Sequence, residues 1–151
     1  MDADQLIVFL KNRCPELDFA VTSADRLPSR TDFQRPAGLI ANTDYAAGPG
    51  EHWVCFYFPQ TGPVEFFDSL GHAPEHYHPN FKNLLVANGP SYLYHTARVQ
   101  NYGSPYCGVY CLYYLVHRYA GIDFQRILNR FGRHYARNEA TVLEWYNRNK
   151  M

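Results

Sequence analysis

Val99-Gln100-Asn101-Tyr102-Gly103-Ser104-Pro105-Tyr106-Cys107-Gly108-Val109-Tyr110-Cys111 is a polar loop, broken by glycine and proline, that delivers a cysteine to the first turn of an apolar helix. Cys107 is followed by Val109, Tyr110, Leu112, Tyr113, Leu115 and Val116 with no helix breaker before Gly121, which predicts a helix running to about Ala120. A helix N-terminus offers unpaired backbone N–H groups and the positive end of the dipole. Both favour thiolate and lower a cysteine pKa from its free value of about 8.5. Gln100 lies seven positions earlier, so the loop can fold its side-chain N–H back toward an oxygen that gains negative charge beside the cysteine. The alternative is a buried structural cysteine, since free cysteine is among the most buried residue types.

Working outward, residues 91–95 read as a strand leading into the loop, and residues 79–88 as a short helix opened by Pro79-Asn80. Residues 52–58 are apolar on both faces and β-prone, hence a central strand, with residues 64–68 as its antiparallel neighbour across a turn at 59–63. A strand at 39–43 and a turn at 46–50 precede them. Residues 14–36, punctuated by Pro15, Pro28 and Pro36, read as an irregular loop over the sheet. Asp2 and Gln5 form a capping-box start for a helix to Arg13, with Leu6, Phe9 and Leu10 facing inward. Downstream, Asp123 caps a helix to about Arg137, and Asn138 caps a last one to the C-terminus. The order predicts an α+β fold with a mixed, mainly antiparallel sheet flanked by helices, and residues 1–151 read as one domain.

Composition narrows the function classes. With 46% hydrophobic and 17% aromatic residues, 13 of them tyrosine, the chain has the material for a packed core and not the make-up of a disordered one. A formal net charge of zero gives no global case for nucleic acid or an anionic membrane as partner. No apolar run approaches the roughly 20 residues of a membrane span, and Met-Asp-Ala-Asp does not open a signal peptide. A reducing compartment is the expectation. Cys14, Cys55, Cys107 and Cys111 contain no C-x-x-C pair, and Cys111, one helical turn from Cys107, reads as a small core residue.

His52 opens the central strand after a glycine turn, and Asp68 ends the next strand 16 positions later. A hairpin of that length can set a strand-ending carboxylate beside a strand-starting imidazole. The carboxylate would orient one ring nitrogen and leave the other to take a thiol proton. Taken singly, His52 reads as a surface residue and Asp68 as a turn cap before Ser69-Leu70-Gly71.

In chain order, Asn42-Thr43, a glycine turn into Gly50-Glu51-His52-Trp53, Phe67-Asp68-Ser69-Leu70-Gly71, Val99-Gln100 and Cys107-Gly108-Val109-Tyr110-Cys111 resemble adenain, the adenovirus protease. Adenain lies within the wider group of cysteine proteases that process SUMO and NEDD8. The resemblance covers most of residues 5–120. It implies Cys107 as nucleophile, His52 as general base, Asp68 as orienting carboxylate and Gln100 as oxyanion donor beside the Cys107 backbone N–H. It further implies Trp53 and Gly108 in a narrow substrate groove that admits glycine before the scissile bond, in Gly-Gly-x or Gly-x-Gly peptides. A soluble, monomeric endopeptidase of viral type follows, maturing capsid or core polyproteins in the host nucleus and virion, or else a cytoplasmic or nuclear enzyme. Residues 82–99 contain no cysteine, so the disulfide-linked activating peptide of adenain has no counterpart; a non-covalent activating peptide and DNA stay open as cofactors.

Arg126, Arg130, Arg133 and Arg137 fall four, three and four apart, which predicts one helix face. That stripe is either a phosphate-tracking face for DNA, as the resemblance suggests, or a solvated surface. His72, His76 and His78 lack a well-spaced fourth ligand, and no metal is expected. Two rival readings remain: an isopeptidase that removes ubiquitin or SUMO, and a non-catalytic DNA- or capsid-binding module on a protease scaffold.

Overall fold

Helix α1 (Ala3–Arg13) is closed at its start by a reciprocal cap, in which the Asp2 carboxylate accepts from the Gln5 N–H at 2.9 Å and the Gln5 side chain accepts from the Asp2 N–H at 2.9 Å. There follow β1 (Asp18–Ser23), β2 (Ala37–Asn42), β3 (Trp53–Phe58), β4 (Val64–Phe67), α2 (Pro79–Ala87), β5 (Tyr92–Tyr94), α3 (Cys107–Tyr119), α4 (Phe124–Leu128) and α5 (Tyr135–Asn149). This computed structural model describes residues 1–28 and 33–150. The strands lie in the order β1-β2-β3-β4-β5. The inner strands β2, β3 and β4 pair antiparallel, whereas β1 on β2 and β5 on β4 pair parallel, which makes the sheet mixed as expected for an α+β fold.

Strand β3 is buried on both faces, and its side chains divide the core. Cys55 and Tyr57 face the layer of α1, α3 and α5, where they pack with Leu6, Leu10, Tyr110 and Tyr114. Val54, Phe56 and Phe58 face α2 and meet Phe81, Leu84 and Leu85. A strand covered by helices on both sides needs apolar residues at every position, which is why residues 53–58 show no polar alternation.

Two expectations need correction. Residues 18–23, read within an irregular loop, form β1 and pair with β2 along their whole length. Its apolar run is only Phe19-Ala20-Val21, each half-buried, and the long-range pairing with β2 makes the strand. Residues 29–32 of the same stretch, and Met151 at the end of the last predicted helix, lie outside the described residues. The predicted helix 123–137 is likewise broken: α4 stops at Leu128, and α5 starts at Tyr135 with no side-chain cap. Asn138 sits inside α5 and is not its cap. Its amide donates to the carbonyls of Val99 (3.0 Å) and Gly132 (2.8 Å) and accepts from the Gly132 N–H, so a residue of cap type is spent on a tertiary link. Arg126 therefore lies on α4, Arg130 and Arg133 in the turn and Arg137 on α5. Arg130 donates to the Tyr113 hydroxyl at 3.4 Å, and one arginine-lined helix face does not form.

Candidate active site

The β3–β4 hairpin sets the geometry. Cys55 pairs with Phe67, so the start of β3 and the end of β4 are neighbours, and His52 and Asp68 stand just beyond them. The His52 backbone is fixed by its carbonyl, which accepts from the Thr43 N–H at 2.8 Å, after the turn in which Gly50 takes φ +94°. Asp68 is held by the turn that follows it. Its backbone carbonyl accepts from the Gly71 N–H at 2.8 Å, and Gly71 has φ +76°. A Cβ at Gly71 would fall 2.7 Å from the backbone of Ala97 and Arg98, so glycine lets the segment after β5 lie across the Asp68 turn.

His52 Nε2 lies 2.7 Å from Asp68 Oδ1, which leaves Nδ1 for the Cys107 thiol, and that thiol together with Asp68 favours the charged imidazole. Cys107 opens α3, as predicted, and is 9% exposed. Its Sγ accepts from the Trp53 N–H at 3.4 Å, and the neighbouring Gly108 N–H also favours its charged form. Burial pushes the thiol pKa up, but the hydrogen bond and charge of His52 and these backbone donors outweigh it and bring the pKa below the usual value. Burial disfavours the His52 imidazolium, yet Asp68 and Cys107 outweigh that too, and its pKa is pushed up to about 10. Burial raises Asp68, while His52 and Tyr77 hold it below the usual carboxylate range. All three shifts therefore run toward the charged set of thiolate, imidazolium and carboxylate. Cys111 contrasts with them: buried against Cys55, its thiol is pushed well up and stays protonated.

Gln100 is buried at the base of the same loop, where its Oε1 accepts from the Ser69 hydroxyl and its Nε2 donates to the Ser104 carbonyl at 3.0 Å. One of its amide N–H bonds is left over. Ser69 follows Asp68 directly, and its carbonyl also accepts from the Val99 and Gln100 N–H groups, so one residue ties the carboxylate turn to the cysteine loop. A cleft of about 660 Å³ opens at Cys107, His52 and Trp53 and runs past Thr22, Asn42, Tyr45 and Glu51. The Trp53 indole donates to the Met1 carbonyl at 3.0 Å. A Cβ at Gly108 would meet Leu6, Met1 and Trp53 at 3.3 Å, which explains a small residue next to the cysteine.

Several participants escape a reading of the sequence. The Trp53 backbone N–H carries no residue signature, and Tyr77, which the sequence suggests as a cleft-lining residue of the histidine loop, instead donates its hydroxyl to Asp68 Oδ2. Among the described residues no cluster of His, Cys, Asp or Glu is arranged to hold a metal. His72 and His76 instead stack at 3.9 Å, and His78 Nδ1 accepts from the Asn80 N–H to cap α2. None of the described helices is long and apolar enough to cross a membrane.

A mixed sheet flanked by helices carries a Cys–His–Asp arrangement here, and the chain is similar in sequence to viral cysteine proteases. No protein-family model matches the chain. It is 26% identical over 132 residues to a cysteine protease of African swine fever virus from a Malawian tick isolate, covering 76% of this chain and 43% of the relative. It is 26% identical over 110 residues to a SUMO-1 cysteine protease of the same virus from a South African tick isolate, covering 61% of this chain and 37% of that protein. The crystal structure of the African swine fever virus protease has a TM-score of 0.43 and 25% identity to this chain, over 63% of this chain and 39% of that one. The chain thus spans less than half the length of the curated relatives it matches.

Proposed function

We propose that this chain is a viral-type cysteine peptidase that cuts polypeptides after glycine. The observation that carries the reading is Cys107 at the head of α3, lining one cleft with an imidazole whose Nε2 is 2.7 Å from a buried carboxylate. The Cys107 thiolate attacks the peptide carbonyl carbon, and the oxygen that becomes negative is met by the Cys107 backbone N–H and the remaining Gln100 amide N–H. Collapse breaks the C–N bond as the His52 imidazolium gives its proton to the leaving amine, which leaves a thioester. Water, deprotonated by His52, then attacks the thioester and releases the acid and Cys107.

A second reading, removal of a ubiquitin-like protein, draws on the SUMO-1 protease names of its relatives. It uses the same chemistry with a folded partner outside the cleft.

The test is a mass-spectrometric digest of a mixed peptide library, comparing wild type with Cys107→Ala, with and without duplex DNA. Cysteine-dependent cuts after glycine are expected. Failure to cut any peptide, with cleavage of a SUMO fusion, would move the assignment to deconjugation, and no cysteine-dependent cleavage of either would refute both. An increase with DNA would identify it as a cofactor.

A further inference from the structure

The Asp68 carboxylate is fully buried, and its two oxygens are treated differently. Oδ1 accepts from His52 Nε2 at 2.7 Å and from the Leu70 N–H at 2.9 Å. Oδ2 accepts from the His72 N–H at 3.3 Å and from the Tyr77 hydroxyl. Tyr77 thus supplies the side-chain donor to the carboxylate oxygen that the histidine does not use. The Tyr77 ring is held by an edge-on contact to His76 (5.0 Å), by His72 (6.0 Å) and by Phe81 (5.8 Å), with its own N–H on the Pro74 carbonyl.

We propose that Tyr77 is a positioning residue of this site: its hydroxyl fixes the plane of the Asp68 carboxylate and draws off part of its charge, so that Asp68 orients and steadies the His52 imidazolium without taking its proton. The inference rests on the peptidase reading above. Among the described residues the hydroxyl has Asp68 as its hydrogen-bond partner, so a purely structural role would be served as well by phenylalanine. Burial, with the charge of Asp68, pushes the phenol pKa far up, so Tyr77 stays a donor over the whole working range. The titratable groups facing this pair are His52 at the start of β3, His72 and His76 beside Tyr77, His95 after β5, and Cys107 and Cys111 on α3.

The experiment compares wild type, Tyr77→Phe, Asp68→Asn and the double variant, with peptide turnover and Cys107 alkylation by iodoacetamide measured against pH. Tyr77→Phe should lower kcat about tenfold with KM unchanged, the worth of one charge-assisted hydrogen bond. Its alkaline limb should move to higher pH, because the imidazolium then faces an undiminished carboxylate. The double variant should be no slower than Asp68→Asn alone. In wild type, the low-field proton signals of the His52 and Tyr77 hydrogen bonds should vanish together in Asp68→Asn, a readout that does not depend on the phenylalanine variant folding. A Tyr77→Phe profile that superimposes on wild type, or a loss that adds in full to that of Asp68→Asn, overturns the inference alone. A wild-type Cys107 that alkylates like a free thiol overturns the peptidase reading and the inference with it.

Discussion

His52 Nε2 and Asp68 Oδ1 stand 2.7 Å apart across the mouth of the β3–β4 hairpin, and this contact decides which imidazole nitrogen is left for Cys107. Asp68→Asn keeps the shape but removes the charge and offers the ring an amide. Turnover of a glycine-containing peptide should fall by about three orders of magnitude or more, with the circular dichroism spectrum unchanged. Turnover close to wild type would mean that the carboxylate does not orient the reacting histidine.

The Cys107 pKa is lowered and the His52 pKa is raised to about 10, so the reactive pair persists between them. Alkylation of Cys107 by iodoacetamide should therefore set in at lower pH than that of a free thiol with pKa about 8.5. His52→Ala should return the pH dependence of alkylation to that of an ordinary buried thiol.

The same shifts bear on stability, with opposite signs. Asp68 is depressed below its reference of 3.8, so its stabilising effect is present above that pH and is lost as pH falls through the folded value. His52 is raised from 6.5 to about 10, so its effect is complete below 6.5 and is lost as pH climbs toward 10. Melting temperature against pH should therefore drop on both flanks, and the double variant His52→Ala, Asp68→Ala should flatten both.

Away from the cleft, Arg118 donates to both oxygens of Glu65, at 2.8 and 2.9 Å, and the Tyr114 hydroxyl donates to the same carboxylate, which is 3% exposed. Arg118→Ala leaves a buried charge without its cation and should cost about 3–5 kcal/mol in urea unfolding. Replacing Arg118 and Glu65 together by Met and Leu should recover most of that loss.

Gly71→Ala tests the crossing of the Asp68 turn by the segment after β5. A Cβ there meets backbone at 2.7 Å from a residue at φ +76°, and neither neighbour can rotate away. A loss of about 2 kcal/mol or more is expected, together with reduced turnover as Asp68 shifts. A neutral outcome would show that the segment is free to move.

What could be read from the chain follows the range of the forces involved. Local signals survive well: the Asp2–Gln5 cap, the apolar run of β3 and the helix that begins at Cys107 are each fixed by residues within a turn or a strand of one another. His52 and Asp68 could be paired because a hairpin joins them, while Cys107 stood out by its place at a helix start and the resemblance joined it to the pair. Strand β1 was hidden because its pairing partner, not its own pattern, makes it. The arginine stripe failed for a related reason. Its periodicity presumed an unbroken helix, while Asn138 folds the Gly132 turn back onto Val99. Tyr77 reaches Asp68 through a loop, and loops carry no period from which a contact can be inferred.

Asn138 and its neighbour Glu139, which accepts from the Ser104 hydroxyl, together hold both ends of the loop before Cys107 from a helix that contributes no reacting atom. The smallest working version of this molecule is accordingly set by its anchors. A shortened variant ending after α4 would keep each of the residues assigned to the chemistry and lose the clamp on the loop that aims them. Trimming for expression, splitting the chain for a reporter or swapping its C-terminal helix would each loosen that clamp and also uncover the core where Val142 and Trp145 pack on α1 and α3.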